Sequence, residues 1–470
     1  MSGVFGVVSK EDCASLLLYG TDYHSHMGTE YGGMAVLGDE FQRQIHNISH
    51  SQFKSKFYED TRKMKGNKGI GVISDSNEQP MYINSRFGPF CIVTSGLIEN
   101  AEELSRELMD SGVSFSEMCS DSVNVTELVA KIICMGKDLV DGITEVFERI
   151  EGSCSMLILN DEGVYAARDR SGYTSLAVGK KDGAWAVTSE TSAFPNNGFE
   201  TVKYLGPSEI VLISEKGMVS KRKAEEKEQI CSFLWIYTGF PASSYGGINT
   251  EIVRERCGKA LAERDSDIEA DLVSGIPDSG MGHALGYAMG SGKPLRRPLV
   301  KYTPGYGRSY TPPSQATRDL IATMKLIPIK DVIDGNRIVV CEDSIVRGTQ
   351  LKNFTVNKLW DSGAKEVHVR VACPPLMFPC KFCLSTRSIN ELAARKAIKS
   401  IEGKDIEDVS EYIDDSSNKH AMMVDWIRKD INVSTLRYLT LDAMTEAVGL
   451  SREKLCTYCW TGKTSCEGCK

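Results

Sequence analysis

The chain has 470 residues, of which 41% are hydrophobic and 25% charged, so it is long enough for several domains with sizeable cores and is neither a disordered nor a fibrous sequence. Lys plus Arg number 55 against 63 Asp plus Glu, a net charge of -8 that excludes a generally basic nucleic-acid surface and still allows a local basic pocket. No apolar run approaches about 18 residues, and the opening MSGVFGVVSKEDC has no basic region before a long apolar one, so no membrane span or secretory signal is expected and the cytoplasm is the expected location.

In chain order, the runs VFGVV, GIGVI, FCIV, CSMLIL, VYAA and EIVLIS predict strands, interrupted by helices near 12–20, 101–110 and 125–148. An α+β layered domain over 2–230 is expected, with the charged stretch 214–229 as a surface link. From about 250 the pattern changes. EADLVSGIPDSG runs into MGHALGYAMG, and GNRIVVCEDSIVRGT runs into QLKNFTVNKLWDSG and then EVHVRVAC. That strand, loop and helix order predicts an open α/β sheet over 231–450, with ligands at the carboxyl ends of its strands. Residues 451–470 are too few for a domain and are expected to form a Cys-rich tail packed on the body.

The sharpest local signal runs from Ile338 to Thr349. Ile338, Val339, Val340 and Cys341 make a buried strand, Glu342 and Asp343 end it, and Ser344-Ile345-Val346-Arg347-Gly348-Thr349 leads into a helix. Hydroxyls, backbone N–H groups and a helix start suit a phosphate, and Arg347 adds charge nearby. The two carboxylates suit the 2- and 3-hydroxyls of a ribose. Together they suit a sugar phosphate.

Fifteen cysteines are many for an intracellular chain, and an odd number cannot all pair within it. Cys456, Cys459, Cys466 and Cys469 crowd the end, Cys380 and Cys383 form another CxxC, and Cys231 stands alone upstream. A thiolate quartet can hold a [4Fe-4S] cluster or a tetrahedral zinc, and spacing alone does not choose between them.

The segment 338–349 resembles the phosphoribosyl pyrophosphate (PRPP) motif of type I phosphoribosyltransferases, in particular the VDDSIVRGTT segment of the glutamine PRPP amidotransferase family. Gly275-Ile276-Pro277-Asp278-Ser279 resembles the family's pyrophosphate loop, whose serine approaches the Mg²⁺ of bound PRPP. Lys301-Tyr302, Gly307-Arg308-Ser309-Tyr310 and Pro313-Ser314-Gln315 resemble its mobile flap, with residues rearranged around Pro304 and Gly305, and Met324-Lys325-Leu326 resembles its MKL stretch. Glu342 replaces the first aspartate of the usual pair. The resemblance implies that Asp278, Ser279, Lys301 and residues 344 to 349 bind PRPP. It further implies that Ser279, Glu342 and Asp343 lie at Mg²⁺, and that Arg308 and Lys325 neutralise the leaving pyrophosphate. By the same resemblance Cys231, Cys380, Cys456 and Cys459 are the ligands of a [4Fe-4S] cluster, with zinc as the alternative. Cys383, Cys466 and Cys469 are surplus.

Residues 2–230 resemble the family's amino-terminal-nucleophile glutaminase domain, a four-layer αββα fold, through Gly3-Val4-Phe5-Gly6, His26-Met27-Gly28-Thr29-Glu30, Asn100-Ala101-Glu102-Glu103-Leu104, Ser120-Asp121, Ala167-Arg168-Asp169 and Ser189-Glu190. Glutamine hydrolysis needs an amino-terminal thiolate, its own amine as base, an oxyanion hole and a carboxylate clamp. Processing after Met1 would expose Ser2 instead. The family's GHxRYST aligns with Gly71-Val72-Ile73-Ser74-Asp75-Ser76 and its HNGNL with Thr94-Ser95-Gly96-Leu97-Ile98, so imidazole, guanidinium and amide are replaced by Val72, Ser74 and Ser95. Asp121 remains as an acid able to meet a ligand amine, and His24 and His26 are read as structural.

The expected protein transfers the phosphoribosyl group of PRPP to ammonia or an amine, with glutamine hydrolysis lost. A glutamine-dependent enzyme using Ser2, or a silent PRPP- or nucleotide-binding paralogue, are the alternatives. Nucleotide inhibitors, a separate ammonia donor protein and a homodimer or homotetramer fit the same resemblance.

Overall fold

The computed structural model describes residues 2–75, 77–116, 118–119, 122–302, 326–349, 351–383 and 388–464. Its first part comprises β1 (Gly3–Ser9), α1 (Ala14–Asp22), β2 (Tyr31–Leu37), β3 (Phe41–Asn47), α2 (Phe53–Lys63), β4 (Lys68–Ser74), β5 (Met81–Ser85), β6 (Gly88–Ile98) and α3 (Ala101–Asp110). It continues with β7 (Met118–Cys119), β8 (Ser122–Val123), α4 (Val125–Ile133), α5 (Leu139–Arg149), β9 (Gly152–Asn160), β10 (Gly163–Ala167), β11 (Ala177–Lys181), β12 (Ala184–Thr188), β13 (Glu200–Tyr204), β14 (Ile210–Ser214) and β15 (Gly217–Arg222).

These strands form a seven-stranded sheet, β13-β11-β12-β1-β4-β2-β3, and a six-stranded sheet, β15-β14-β10-β9-β6-β5. Side chains alternate across a strand, so each apolar strand feeds two faces. Val4, Val8, Ile70 and Val72 of the first sheet meet Val93, Leu157, Leu159, Val164 and Val211 of the second between the sheets. Phe5, Val7 and Met34 point the other way, onto Leu17 and Leu18 of α1 and Phe53 and Phe57 of α2. On the far side, Ile92, Met156 and Ile158 meet Leu104, Leu128, Ile132 and Phe147 of α3, α4 and α5. Each such buried side chain stabilises by about 1.5–3 kcal/mol. The result is the αββα layering of the amino-terminal-nucleophile fold.

Two expectations for this part are corrected. The stretch 214–229 is not all linker, because Gly217–Arg222 is an edge strand paired with β14. Its Lys and Arg residues are the charges that keep an exposed sheet edge from pairing further. The single helix at 125–148 is two helices, because Asp138 accepts a hydrogen bond from the Asp141 amide and starts α5 afresh.

The later elements are β16 (Ile230–Cys231), β17 (Ser244–Tyr245), β18 (Ile248–Asn249), α6 (Thr250–Glu263), β19 (Leu272–Gly275), α7 (Met281–Ser291), β20 (Leu299–Lys301), β21 (Leu326–Pro328), β22 (Arg337–Glu342), β23 (Glu366–Val371), β24 (Thr435–Tyr438) and β25 (Leu455–Cys456). β19, β22, β23 and β24 pair in that order, all parallel. A parallel sheet buried on both faces reads as apolar runs, and Ile338 to Cys341 are at most 1% exposed. This is the open parallel α/β sheet expected after about residue 250. Asp265 pins its edge, accepting from the Tyr287 hydroxyl at 2.6 Å and from Arg370 and Arg437 on neighbouring strands. Among the described residues, no helix is long and apolar enough to cross a membrane.

Candidate functional site

The carboxyl ends of β19 and β22 lie side by side, Gly275 opposite Cys341. The loop after β19 therefore faces the loop after β22, and glycine makes the approach close. A Cβ on Gly280 would stand 2.1 Å from the Cys341 carbonyl oxygen. Ser279 Oγ donates to Glu342 Oε1 at 3.0 Å, the Asp343 amide donates to the same oxygen at 3.2 Å, and Ser344 Oγ donates to Asp343 Oδ1 at 2.7 Å. Burial, reinforced by the neighbouring Asp343 carboxylate, holds the Glu342 carboxyl well above the usual range. Asp278 sits at φ 73°, a left-handed conformation that costs a residue with a Cβ about 1–2 kcal/mol, and its carboxylate pairs with Lys301.

Beyond Ser344 the loop tightens onto the body. Ile345 is core, and the Val346 carbonyl accepts from the Ala393 amide at 2.7 Å. Gly348 takes φ 76°, with the Lys352 amide donating to its carbonyl at 2.9 Å as the helical turn begins. Arg347 turns outward and donates to Glu391 at 2.7 Å. Ser279, Glu342, Asp343 and Ser344 are thus brought together, Asp278 with Lys301, and Arg347 is held apart. Arg308 and Lys325 lie outside the described residues.

In the amino-terminal pocket, Ser2 immediately precedes β1 and is buried, its Oγ donating to Ser74 Oγ at 3.2 Å. Ser95 Oγ donates to the Ser2 carbonyl at 2.5 Å. Val72 is 1% exposed and packed between the sheets, so that position offers no base. His24 is sealed between Thr188 Oγ1 at 2.9 Å and the Gly20 carbonyl at 3.0 Å, and burial brings its imidazole down to about 4. Asp121 lies outside the described residues.

A polar group drawn from separate segments joins the two parts. Glu190, 1% exposed, accepts from the Tyr245 hydroxyl at 2.8 Å and Ser243 Oγ at 3.1 Å, and stands 3.0 Å from His26 Nε2. Burial raises the Glu190 carboxyl, but His26 and His24 outweigh it and leave the group below its ordinary value. Arg254 of α6 donates to the carbonyls of Trp235 at 3.0 Å and Gly239 at 2.8 Å. Burial lowers its guanidinium against the pull of Asp343, Glu251, Tyr245 and Glu190. The sequence signal for Arg254 is its place on the helix face shared with Thr250, Val253 and Cys257.

The thiols form a third group. Cys380 Sγ accepts from the Phe382 amide at 3.5 Å and the Cys383 amide at 3.2 Å. Contact with Cys459, together with these two amides, outweighs burial and brings the Cys380 thiol down to about 7. Contact with Cys231, and then burial, pushes Cys383 up. Cys231 lies opposite Cys456 in the short parallel ladder of β16 and β25. Among the described residues, no three His, Cys, Asp or Glu side chains are disposed to hold a metal ion as they stand. The donor chemistry fits a thiophilic metal group, and binding one has to gather these neighbours. Cys466 and Cys469 lie outside the described residues.

Comparison with known proteins gives the family. A glutamine amidotransferase domain model matches residues 68–196. An amidophosphoribosyltransferase of Methanocaldococcus jannaschii is 32% identical over 99% of this chain and 98% of its own length, and one of Bacillus subtilis is 30% identical over 99% and 94%. The glutamine PRPP amidotransferase of B. subtilis, solved with ADP and GMP, superposes with a TM-score of 0.84 at 30% identity, covering 98% of this chain and 97% of that one. The chain belongs to the amidophosphoribosyltransferase family. It is thus one of a family of phosphoribosyltransferase enzymes, and the members just named match it through both halves.

Proposed function

We propose that this chain transfers the phosphoribosyl group of PRPP to ammonia or a small amine, releases pyrophosphate, and no longer hydrolyses glutamine. The observation that carries the transferase reading is the meeting of Ser279, Glu342, Asp343 and Ser344 at adjoining strand ends. Ser279, Glu342 and Asp343 would hold Mg²⁺ with PRPP, and that ion supplies charge neutralisation for the diphosphate. Glu342 and Asp343 face the ribose hydroxyls, and Ser344, Ile345, Val346, Gly348 and Thr349 surround the 5-phosphate with amides and hydroxyls. Arg347 reaches it after leaving Glu391, Asp278 and Lys301 bind the pyrophosphate end, and Arg308 and Lys325 neutralise it. The bond from C1 to the pyrophosphate oxygen breaks, the electron pair leaves with pyrophosphate, and the nitrogen lone pair forms the new bond to C1 before a proton is lost to water.

Loss of glutamine hydrolysis rests on Val72, Ser74 and Ser95 at the positions of imidazole, guanidinium and amide, with Ser2 at the nucleophile's place. The second reading keeps glutamine dependence through Ser2, and is favoured by its burial between Ser74 and Ser95 in an intact fold. A silent PRPP- or nucleotide-binding role is the third. Cys231, Cys380, Cys456 and Cys459 would hold a [4Fe-4S] cluster, or zinc, with a structural role in joining distant segments. Nucleotide inhibition, a separate ammonia donor and a homodimer or homotetramer complete the proposal.

The test is to incubate the full chain with PRPP, Mg²⁺ and either glutamine or ammonium, and to measure pyrophosphate and glutamate. Ammonium-dependent pyrophosphate without glutamate is expected. Glutamate release establishes the second reading, and PRPP binding without turnover the third.

A further inference from the structure

The sheet of the carboxyl-terminal part has further strand ends away from the acid pair. β24 comes last in its strand order, so one of its edges has no strand beside it. The chain leaves that edge at Thr440, whose Oγ1 accepts from the Ala443 amide at 3.3 Å and starts a helix. A cavity of about 800 Å³ lies here, lined by every residue from Leu436 to Thr440. Its opposite wall is the helix Asn418–Asp430 and the short helix Ser410–Ile413 before it, tied together where His420 Nδ1 donates to the Tyr412 carbonyl at 2.8 Å. The volume falls within the about 300–1,000 Å³ of small-molecule sites, and the strand ends of an open α/β sheet are where such ligands sit.

Met377, Leu439 and Trp460 give the cavity a buried apolar floor. Tyr438 lines the same floor and is only 8% exposed, yet its hydroxyl has no hydrogen-bond partner among the described residues. Burial pushes that hydroxyl up, so it keeps its proton and can donate. A buried hydroxyl without an acceptor costs free energy that a ligand oxygen beside it recovers. The charges at the rim are unevenly spent. Arg428 is held by Asp425 at 2.8 Å and Arg437 by Asp267 at 2.6 Å. The exposed Arg264 has no acid partner among the described residues, and Arg452 reaches Asp442 only at 3.4 Å, with both side chains more than half exposed. Asp415 stands on the same rim. The rim therefore suits a single carboxylate and repels a multiply charged anion.

We propose that this cavity binds a flat apolar carboxylate, with its ring over Trp460 and Met377, its charge at Arg264 and Arg452, and an oxygen at its inner end accepting from Tyr438. The site lies at β24, two strands from the acid pair that ends β22, and shares no residue with it. It therefore stands or falls independently of the transferase reading.

The experiment uses the full chain and 7-methoxycoumarin-4-acetate, a flat fluorescent ring with one carboxylate and a methoxy oxygen, followed by fluorescence anisotropy. One probe per chain is expected to bind and to be displaced by benzoate. Val424→Trp, which fills the cavity from its helical wall, should abolish binding. Arg264→Ala and Arg452→Ala should each weaken it about fivefold, and Tyr438→Phe about tenfold. Because Tyr438→Phe also removes an unpaired hydroxyl, its ligand-free thermal midpoint should equal or exceed that of the wild type, which separates lost binding from lost folding. A wild type that binds no probe, or binding that survives Val424→Trp, overturns the site. Affinity unchanged in Tyr438→Phe overturns the inner contact, and displacement by inorganic phosphate as strong as by benzoate overturns the apolar carboxylate as the ligand class.

Discussion

The two pockets of this chain sit on equally well-formed scaffolds and differ in what they have kept. At the ends of β19 and β22 the carboxylates and hydroxyls are in mutual contact. At the head of β1 the fold is intact, and Ser2 meets Ser74 and Ser95. A fold fixes where side chains stand, while chemistry depends on which atoms stand there, so an intact scaffold does not by itself fix its reaction. The anchors differ in the same way. Asp265 holds two guanidinium groups, whereas Asp169 gives its oxygens to the amides of Gly172, Tyr173 and Thr174 at 2.8 to 3.0 Å.

That contrast sets the largest expected effect. Asp265→Ala leaves Arg370 buried without its partner and should cost about 3–5 kcal/mol in urea unfolding, whereas Asp169→Ala, which frees only neutral donors, should cost about 2 kcal/mol. Equal losses would erase the distinction between the anchors. Next in size, Asp343→Asn should lower PRPP-dependent pyrophosphate release by about 100-fold with little change in melting temperature. An unchanged rate would put the acid pair outside the reaction.

The third effect is shared between the parts. His24 and His283, each brought down to about 4 chiefly by burial, stay neutral in the fold while their unfolded forms take up protons below 6.5. Unfolding then binds protons, so stability is full above pH 6.5 and falls toward pH 4, by about 3 kcal/mol for each histidine. Urea titrations across that window on His24→Gln and His283→Gln should each show a shallower acid slope, and a slope confined to one variant would assign the acid sensitivity to one part. The smallest effect is the most pointed. Ser2→Cys should release no glutamate from glutamine, because Val72, Ser74 and Ser95 still stand where the clamp and oxyanion groups are needed. Measurable glutamate would reopen the amino-terminal pocket.

Much of this was legible in the sequence for a local reason. A strand, an acid pair and a Gly-Thr loop are contiguous, and their order alone places Glu342, Asp343 and Ser344 together. The same reading sent Arg347 to the phosphate, and the structure pairs it with Glu391, 44 residues on. No local pattern announces such a partner. The helix α2 escaped notice because FKSKFYEDTRK is mostly polar, its buried stripe being Phe53, Phe57 and Thr61. The Glu190, His26 and Tyr245 group draws on three separate segments and exists only once they pack. Charge misled at β15, where Lys221 and Arg222 lie on an edge strand.

The ladder joining Ile230–Cys231 to Leu455–Cys456 is only two residue pairs long, yet it spans most of the carboxyl-terminal half, and Ser232 Oγ reinforces it by donating to the Cys456 carbonyl at 2.9 Å. On the ribosome its later strand is made more than 200 residues after its partner, so the pairing forms only once Leu455 and Cys456 have emerged. A nascent chain arrested before Leu455 should therefore carry a folded sandwich and an unlatched remainder, and any metal would be loaded only after that latch has closed.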